Sequence, residues 1–237
     1  MRGENEALQP VRAQPAHVLV AERLRRSIAL GEVLPGERLP AERTLARDLS
    51  VSRLTVREAL RVLQAEGVIV TRRGGAGGAF VTERTPSVAR LRAALAKRRP
   101  SVEEIFEFRL SVETAAARLA ALRRTDEDVA ALAGQVRALE ESDGAGAFRR
   151  ADSAFHLAVA EASANPMLAR ATADARAALF EAFDVLPFQV RRDTSAAGHA
   201  AIVEAVRARD GEAAAAAMAE HLRRARDEVL AVLRGSA

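Results

Sequence analysis

From residue 101 to residue 234 the chain carries helical patterning almost without a break, and this limits the fold more than any single motif does. "SVEEIFEFRLSVETAAARLAALRR" opens on Ser101 with Glu104 three residues on; "TDEDVAALAGQVRALEES" opens on Thr125 with Asp128 in the same relation. Each pair is a capping box, in which the hydroxyl accepts a backbone N–H of the first turn and the acid bonds back to the cap's own N–H. "AGAFRRADSAFHLAVAEAS" follows and stops at Asn165-Pro166, a helix end rather than a ligand contact. Then come "PMLARATADARAALFEAF", "TSAAGHAAIVEAVRAR" and "GEAAAAAMAEHLRRARDEVLAVL". With a short segment at 86–97, the pattern predicts an all-α bundle of about seven helices and no strand. Composition agrees: 49% of residues are apolar but only 3% aromatic, so alanine and leucine must do the packing, and both favour helix. The absence of Cys excludes disulfides and thiolate metal sites.

The front of the chain differs in kind. Residues 1–99 hold 19 Lys and Arg against 10 Asp and Glu, a balance of +9, while residues 100–237 hold 17 against 22, or −5. GC-rich codon usage would explain arginine over lysine, since Lys97 is the sole lysine, but not the asymmetry. Two domains with different partners are expected, the basic one suited to a phosphate backbone. The expected boundaries are 10–82 for the first domain, 83–100 for a linker and the first helix of the bundle, and 101–237 for the second domain. No apolar run approaches bilayer length, and "MRGENEALQP" lacks a signal-peptide core, so a cytoplasmic protein without membrane contact is expected.

Within the basic part, "PAHVLVAERLRRSIAL" reads as a helix, with Pro15 in its first turn and Gly31 at its stop. "GEVLPGERLP" is turn-rich, and a short helix over about 41–49 follows, with Leu45 and Leu49 inward. After a tight break at Ser50-Val51, Ser52 caps a third helix, 53–66, ended by Gly67. Val56, Ala59, Leu60 and Leu63 form its apolar stripe; Arg53, Arg57 and Arg61 run along another side. "VIVTR" and "AFV" then read as two short strands around a glycine tip flanked by Arg72 and Arg73. Three helices and a two-stranded wing make a winged helix-turn-helix. Such a third helix presents its N-terminal end to the major groove, where arginine bonds guanine bidentately. A solvated helix face is the bland reading of the arginine row; the turn, the cap and the basic wing together outweigh it.

The stretch "GEVLPGERLPAERTLARDLSVSRLTVREALRVLQAEGVIVTRRGGAGGAFV" resembles the GntR family of bacterial transcription regulators, over about residues 15–82. The resemblance implies DNA contacts from Arg43, Arg53 and Arg57, with Thr55 and the wing's Gly74. With the cap Ser52 and the wing's Arg73, the expected DNA-binding set is Arg43, Ser52, Arg53, Thr55, Arg57, Arg73 and Gly74. It further implies a homodimer on an inverted-repeat operator in double-stranded DNA. Leu54 stands where the family often has a polar residue, which bears on base preference.

The back domain holds a different kind of signal. His156 lies beside Phe155 and Val159; His199 opens the series Ile202, Val203, Val206; His221 falls among Met218, Leu222 and Ala225. Asp152 sits one turn before His156. One inward histidine is ordinarily a satisfied core residue. Three of them plus a carboxylate, with no other buried polar partner in the pattern, would cost several kcal/mol if left unbonded. A divalent cation bonded to all four removes that cost. Three nitrogens and one oxygen suit Zn2+ first, with Ni2+, Mn2+ and Fe2+ open.

This half, from 86 to 232, resembles the FCD ligand-binding domain of the FadR branch of GntR regulators. The resemblance implies that Asp152, His156, His199 and His221 hold the metal and that a small carboxylate binds against it. Arg109 lies on the stripe Ile105, Arg109, Val112, Ala116, Leu119 and can serve either as an effector-binding residue or as the i, i+4 partner of Glu113. The expected function is a metal-dependent, organic-acid-responsive transcription regulator, a repressor, and not an enzyme. The alternatives are a regulator whose signal is the metal itself, a purely structural metal, and a metal-dependent hydrolase.

Overall fold

The structure is a computed structural model and describes residues 14–74, 77–83, 89, 93, 100–179 and 188–234. The chain divides into two compact units. One comprises residues up to Arg26 with Gly36–Thr82; the other comprises Ser27–Pro35 and Glu83 onward.

The first three helices are α1 (Ala16–Ala29), α2 (Glu42–Asp48) and α3 (Arg53–Ala65). Helix α1 buries Val20, Ala21, Leu24 and Ile28, positions that share one face at 3.6 residues per turn. Ser50 closes α2 in the left-handed region, at φ 53°, so that the Val51 N–H donates back to the Ala46 carbonyl at 2.9 Å. Leu45 is buried in α2, whereas Leu49, expected inward, is only half-buried because it already belongs to this turn. Ser52 caps α3 as expected, its hydroxyl accepting the Thr55 N–H at 3.0 Å. Val56, Ala59 and Leu63 are fully buried below it.

Strands β1 (Ile69–Arg72) and β2 (Gly78–Val81) pair antiparallel, with Ile69 opposite Val81 and Arg72 opposite Gly78. The preceding segment, which reads as turn in the sequence, runs along the free edge of β2. The Gly36 N–H donates to Val81 O at 2.9 Å, Val81 N–H to Glu37 O at 3.0 Å, and Leu39 N–H to Ala79 O at 2.9 Å. The four residues 36–39 are too few to show alternation, so only the pairing reveals this segment.

Among the described residues the second unit contains six helices: α4 (Val102–Arg123), α5 (Asp126–Glu140), α6 (Ala145–Ala162), α7 (Pro166–Leu179), α8 (Phe188–Arg207) and α9 (Gly211–Arg234). The helix expected at 86–97 falls, apart from residues 89 and 93, outside the described residues. Both capping boxes form. Helix α8 begins six residues before the expected Thr194. "RRD" at 191–193 looks like surface, yet Arg191 is buried, with its guanidinium 4.9 Å from the Phe148 ring centroid.

Among the described residues, the two largest apolar clusters of this unit organise it. The larger joins Ala117, Leu132, Phe155, Val159, Ile202, Val206, Met218 and Leu222, with further residues from α4, α5, α6, α8 and α9. The smaller joins Val102, Ile105, Phe106, Leu179, Val229 and Leu230. Along α4 the buried polar residues between the two clusters are Arg109 and Glu113; on α9 the buried His221 stands at the end of the larger cluster, between Met218 and Leu222. A polar layer therefore crosses the bundle.

Leu132 is fully buried in the larger cluster and Leu122 is 57% exposed. Leu132→Ala is expected to cost about 2–5 kcal/mol in urea denaturation and Leu122→Ala no more than about 0.5 kcal/mol. Equal costs would contradict the assignment of the core.

Candidate metal centre

Helix α6 places Asp152 and His156 one turn apart on its buried face, α8 adds His199, and α9 adds His221. All four side chains are buried, and one ligand atom from each lies within 4.8 Å of every other. The Nε2 atoms of His156 and His221 face each other at 3.3 Å. His199 Nε2 lies 3.5 Å from Asp152 Oδ1, and neither ring nitrogen of His199 has a hydrogen-bond partner among the described residues. The His199 ring stacks on Phe155, with centroids 3.8 Å apart.

These features fit a divalent metal. Donors each about 2.1 Å from one ion stand roughly 3–4 Å from one another, close to the spacing seen here. A buried imidazole without hydrogen-bond partners, as His199 is among the described residues, is a costly arrangement that an ion in the cluster relieves. The protonation states fit as well. Burial pushes all three imidazoles down, His221 to about 4 and the other two well below the usual value. Burial works against the Asp152 carboxylate, but Arg176 holds it below the usual carboxylate range. Neutral imidazoles and an ionised carboxylate are the forms that ligate metals.

Three further residues build the site. Glu113 on α4 accepts from His156 Nδ1 at 2.5 Å and from Arg109 Nε at 2.5 Å. Arg109 thus forms the i, i+4 pair that the sequence left as one of two choices. Arg176 on α7 donates from Nη2 to Asp152 Oδ2 and, at 3.2 Å, to Ser153 Oγ, while its Nε and Nη1 are buried without acceptors among the described residues. Arg176 follows Thr172 and precedes Leu179 on the buried stripe of α7, and that spacing could have revealed it. Gly198 is the third. A Cβ there would lie 2.7 Å from His221 Nδ1, so the bare backbone of α8 is what admits the His221 ring. A cavity of about 20 Å3 adjoins the cluster, lined by Arg109, Asp152, His156, Arg176 and His221 among others.

Comparison with known proteins follows this division. Residues 18–81 match the model for "Bacterial regulatory proteins, gntR family", and residues 104–224 match the FCD domain. The chain is a GntR-family transcription regulator. It is 34% identical over 223 residues to the Escherichia coli K12 protein named "Putative L-lactate dehydrogenase operon regulatory protein", covering 86% of this chain and 82% of that one. It is 31% identical over 204 residues to the HTH-type transcriptional regulator LutR of Bacillus subtilis, covering 83% and 93%. The solved structure of E. coli McbR/YncC shares the fold, with a TM-score of 0.58 at 21% identity, covering 94% of this chain and 99% of that one. The regulator therefore binds DNA and is not an enzyme; among its described residues no helix is long and apolar enough to cross a membrane.

In the regulator's winged helix-turn-helix, Arg43, Ser52, Arg53, Arg73 and Gly74 are exposed. Thr55 is half-buried, its hydroxyl 2.9 Å from that of Ser52. Arg57 is bonded to Glu42 of α2 at 3.0 Å. Leu54, beside Arg53, is 64% exposed. Gly74 has φ 106° and open space around it, a conformation that other residues rarely adopt.

Two predictions follow from the buried ring set. The unfolded histidines bind protons near pH 6.5 and the folded ones only much lower, so unfolding takes up protons as pH falls and stability drops. The metal-free regulator is expected to lose stability from pH 6.5 downward, His221 alone contributing about 3 kcal/mol by pH 4. Urea denaturation between pH 7.5 and 4.5 measures this, and a flat profile would contradict it. Gly198→Ala gains about 1 kcal/mol of helix propensity but forces the His221 ring against a new methyl, at a cost of about 1–3 kcal/mol. A net loss is expected in the same assay; a net gain would mean that the ring is not confined there.

Proposed function

We propose that this regulator is a dimeric repressor whose operator affinity is set by a small organic acid bound at a divalent metal. Asp152, His156, His199 and His221 would hold the metal, with Zn2+ the first choice and Ni2+, Mn2+ or Fe2+ open. The observation that carries this reading is the convergence of those four buried donors beside a cavity that also holds Arg176. Bound there, the ion supplies a Lewis-acidic point at which a carboxylate oxygen can be anchored.

The chain's own residues then select the ligand. Arg176 offers two buried nitrogens, Nε and Nη1, whose N–H bonds have no acceptor among the described residues. A carboxylate oxygen can accept a charge-assisted hydrogen bond from either nitrogen. Arg109 lines the same cavity, but its Nε is committed to Glu113, so the principal anion donor is assigned to Arg176 and Arg109 flanks it. The name of the E. coli relative, with its L-lactate dehydrogenase operon, supports short hydroxy acids as the first candidate effectors to try.

The DNA-contacting set proposed for this regulator is Arg43, Ser52, Arg53, Thr55, Arg57, Arg73 and Gly74, on an inverted repeat read by two copies in the cytoplasm. The Glu42–Arg57 ion pair joins α2 to α3 and leaves the Arg57 side chain 47% exposed for the proposed phosphate contact. Domain limits of 10–82, 83–100 and 101–237 are proposed for the reader, the connection and the effector domain.

Operator binding titrated first with Zn2+ and then with Zn2+ plus L-lactate, citrate or gluconate tests the scheme. Release that requires an acid is expected, and release by Zn2+ alone would favour a metal sensor. His199→Ala is expected to lose metal and the acid response while retaining operator binding without ligand; full metal retention would contradict the ligand set. Arg53→Ala removes about 1–3 kcal/mol per base contact. Operator affinity is expected to fall at least about tenfold with an unchanged circular dichroism spectrum, and unaltered affinity would remove Arg53 from the interface.

A further inference from the structure

The cluster leaves one question that its four donors do not answer. A neutral imidazole carries its proton on either ring nitrogen, and only the bare nitrogen can bind a metal. His156 offers Nε2 to the cluster, where it faces His221 Nε2 at 3.3 Å. Its Nδ1 points the other way, to Glu113 Oε2 at 2.5 Å.

Glu113 is itself fixed. Its Oε1 accepts Arg109 Nε at 2.5 Å, and both side chains are about 99% buried. The Arg109 guanidinium lies 5.5 Å from the Phe106 ring centroid on the same helix. Arginine does not give up its proton in proteins, and a carboxylate paired to it can only accept hydrogen bonds. The proton of His156 must then reside on Nδ1.

We infer that the Arg109–Glu113 pair is a positioning device that locks His156 in the tautomer with Nε2 bare and so sets the affinity of the cluster for a divalent metal. Neither residue touches the ion. The pair acts through the imidazole, and it accounts for burying two full charges in the polar layer of the bundle. The inference rests on the proposed metal reading. Losing an outer partner of a ligating histidine weakens metal binding by about 10- to 100-fold.

Two measurements on the full-length protein test it. In metal-free wild type, long-range 1H–15N NMR of His156 is expected to show a protonated Nδ1 and a bare Nε2; the reverse would overturn the inference whether or not metal binds. Zn2+ affinity is then measured by chelator competition in wild type and in Arg109→Met/Glu113→Leu, which replaces both charges by apolar groups of similar size. A loss of about 10- to 100-fold is expected, together with a mixed His156 tautomer in the metal-free variant. A variant within twofold of wild type would overturn the positioning role alone. Failure of wild type to take up Zn2+ would overturn the metal reading and this inference together. Should the double variant not fold, Glu113→Gln keeps the shape and removes the charge; a loss of at least about tenfold is expected, and a change within twofold overturns the inference.

Discussion

Everything in the helical unit depends on closing a layer of ionisable side chains inside an apolar bundle. Seven such residues, Arg109, Glu113, Asp152, His156, Arg176, His199 and His221, are at most 8% exposed. Charges buried without partners would be far costlier than the net stability of a domain. The chain meets this by pairing Arg109 with Glu113 and Arg176 with Asp152, and by keeping the three imidazoles neutral. Of the buried polar atoms without a partner among the described residues, both nitrogens of His199 and two of Arg176 are the ones a bound ion and an anion would satisfy. What this layer leaves incomplete has the chemistry of a ligand site.

The same arrangement suits sensing. The donors come from three helices, α6, α8 and α9, and Arg176 from a fourth, so an occupant of the layer bears on most of the bundle at once. A ligand shifts a conformational equilibrium only as far as its affinity differs between the two states. A discrimination of about 100-fold corresponds to roughly 2.7 kcal/mol of coupling to the DNA reader. The dry, charged layer is where such a difference can arise, because electrostatic interactions are strongest where water is excluded.

Much of this was legible in the sequence, where local chemistry speaks for itself. The boxes at Ser101 and Thr125, the cap at Ser52 and the helical stripes are short-range signals, and the structure forms them as written. The inward set Asp152, His156, His199 and His221 was visible because polar residues stood on apolar stripes, and the structure gathers all four. What escaped were arrangements defined only by tertiary pairing. Segment 36–39 joins the wing through three backbone bonds that no four-residue pattern announces. Helix α8 starts early because Arg191, which reads as surface, is buried against Phe148. Glu113 looks like a solvated charge until its partner on another helix is known, Arg176 shows only as one more residue of a buried stripe, and Gly198 looks like a helix weakness until the His221 ring is seen beside it.

The central claim is that one divalent ion sits at the meeting point of these side chains. An anomalous difference map from crystals of Zn2+-loaded protein, collected at the zinc absorption edge, tests it most directly. The account predicts a single strong peak bonded to Asp152, His156, His199 and His221. Imidazoles turned toward main-chain oxygens, with no peak between them, would contradict it.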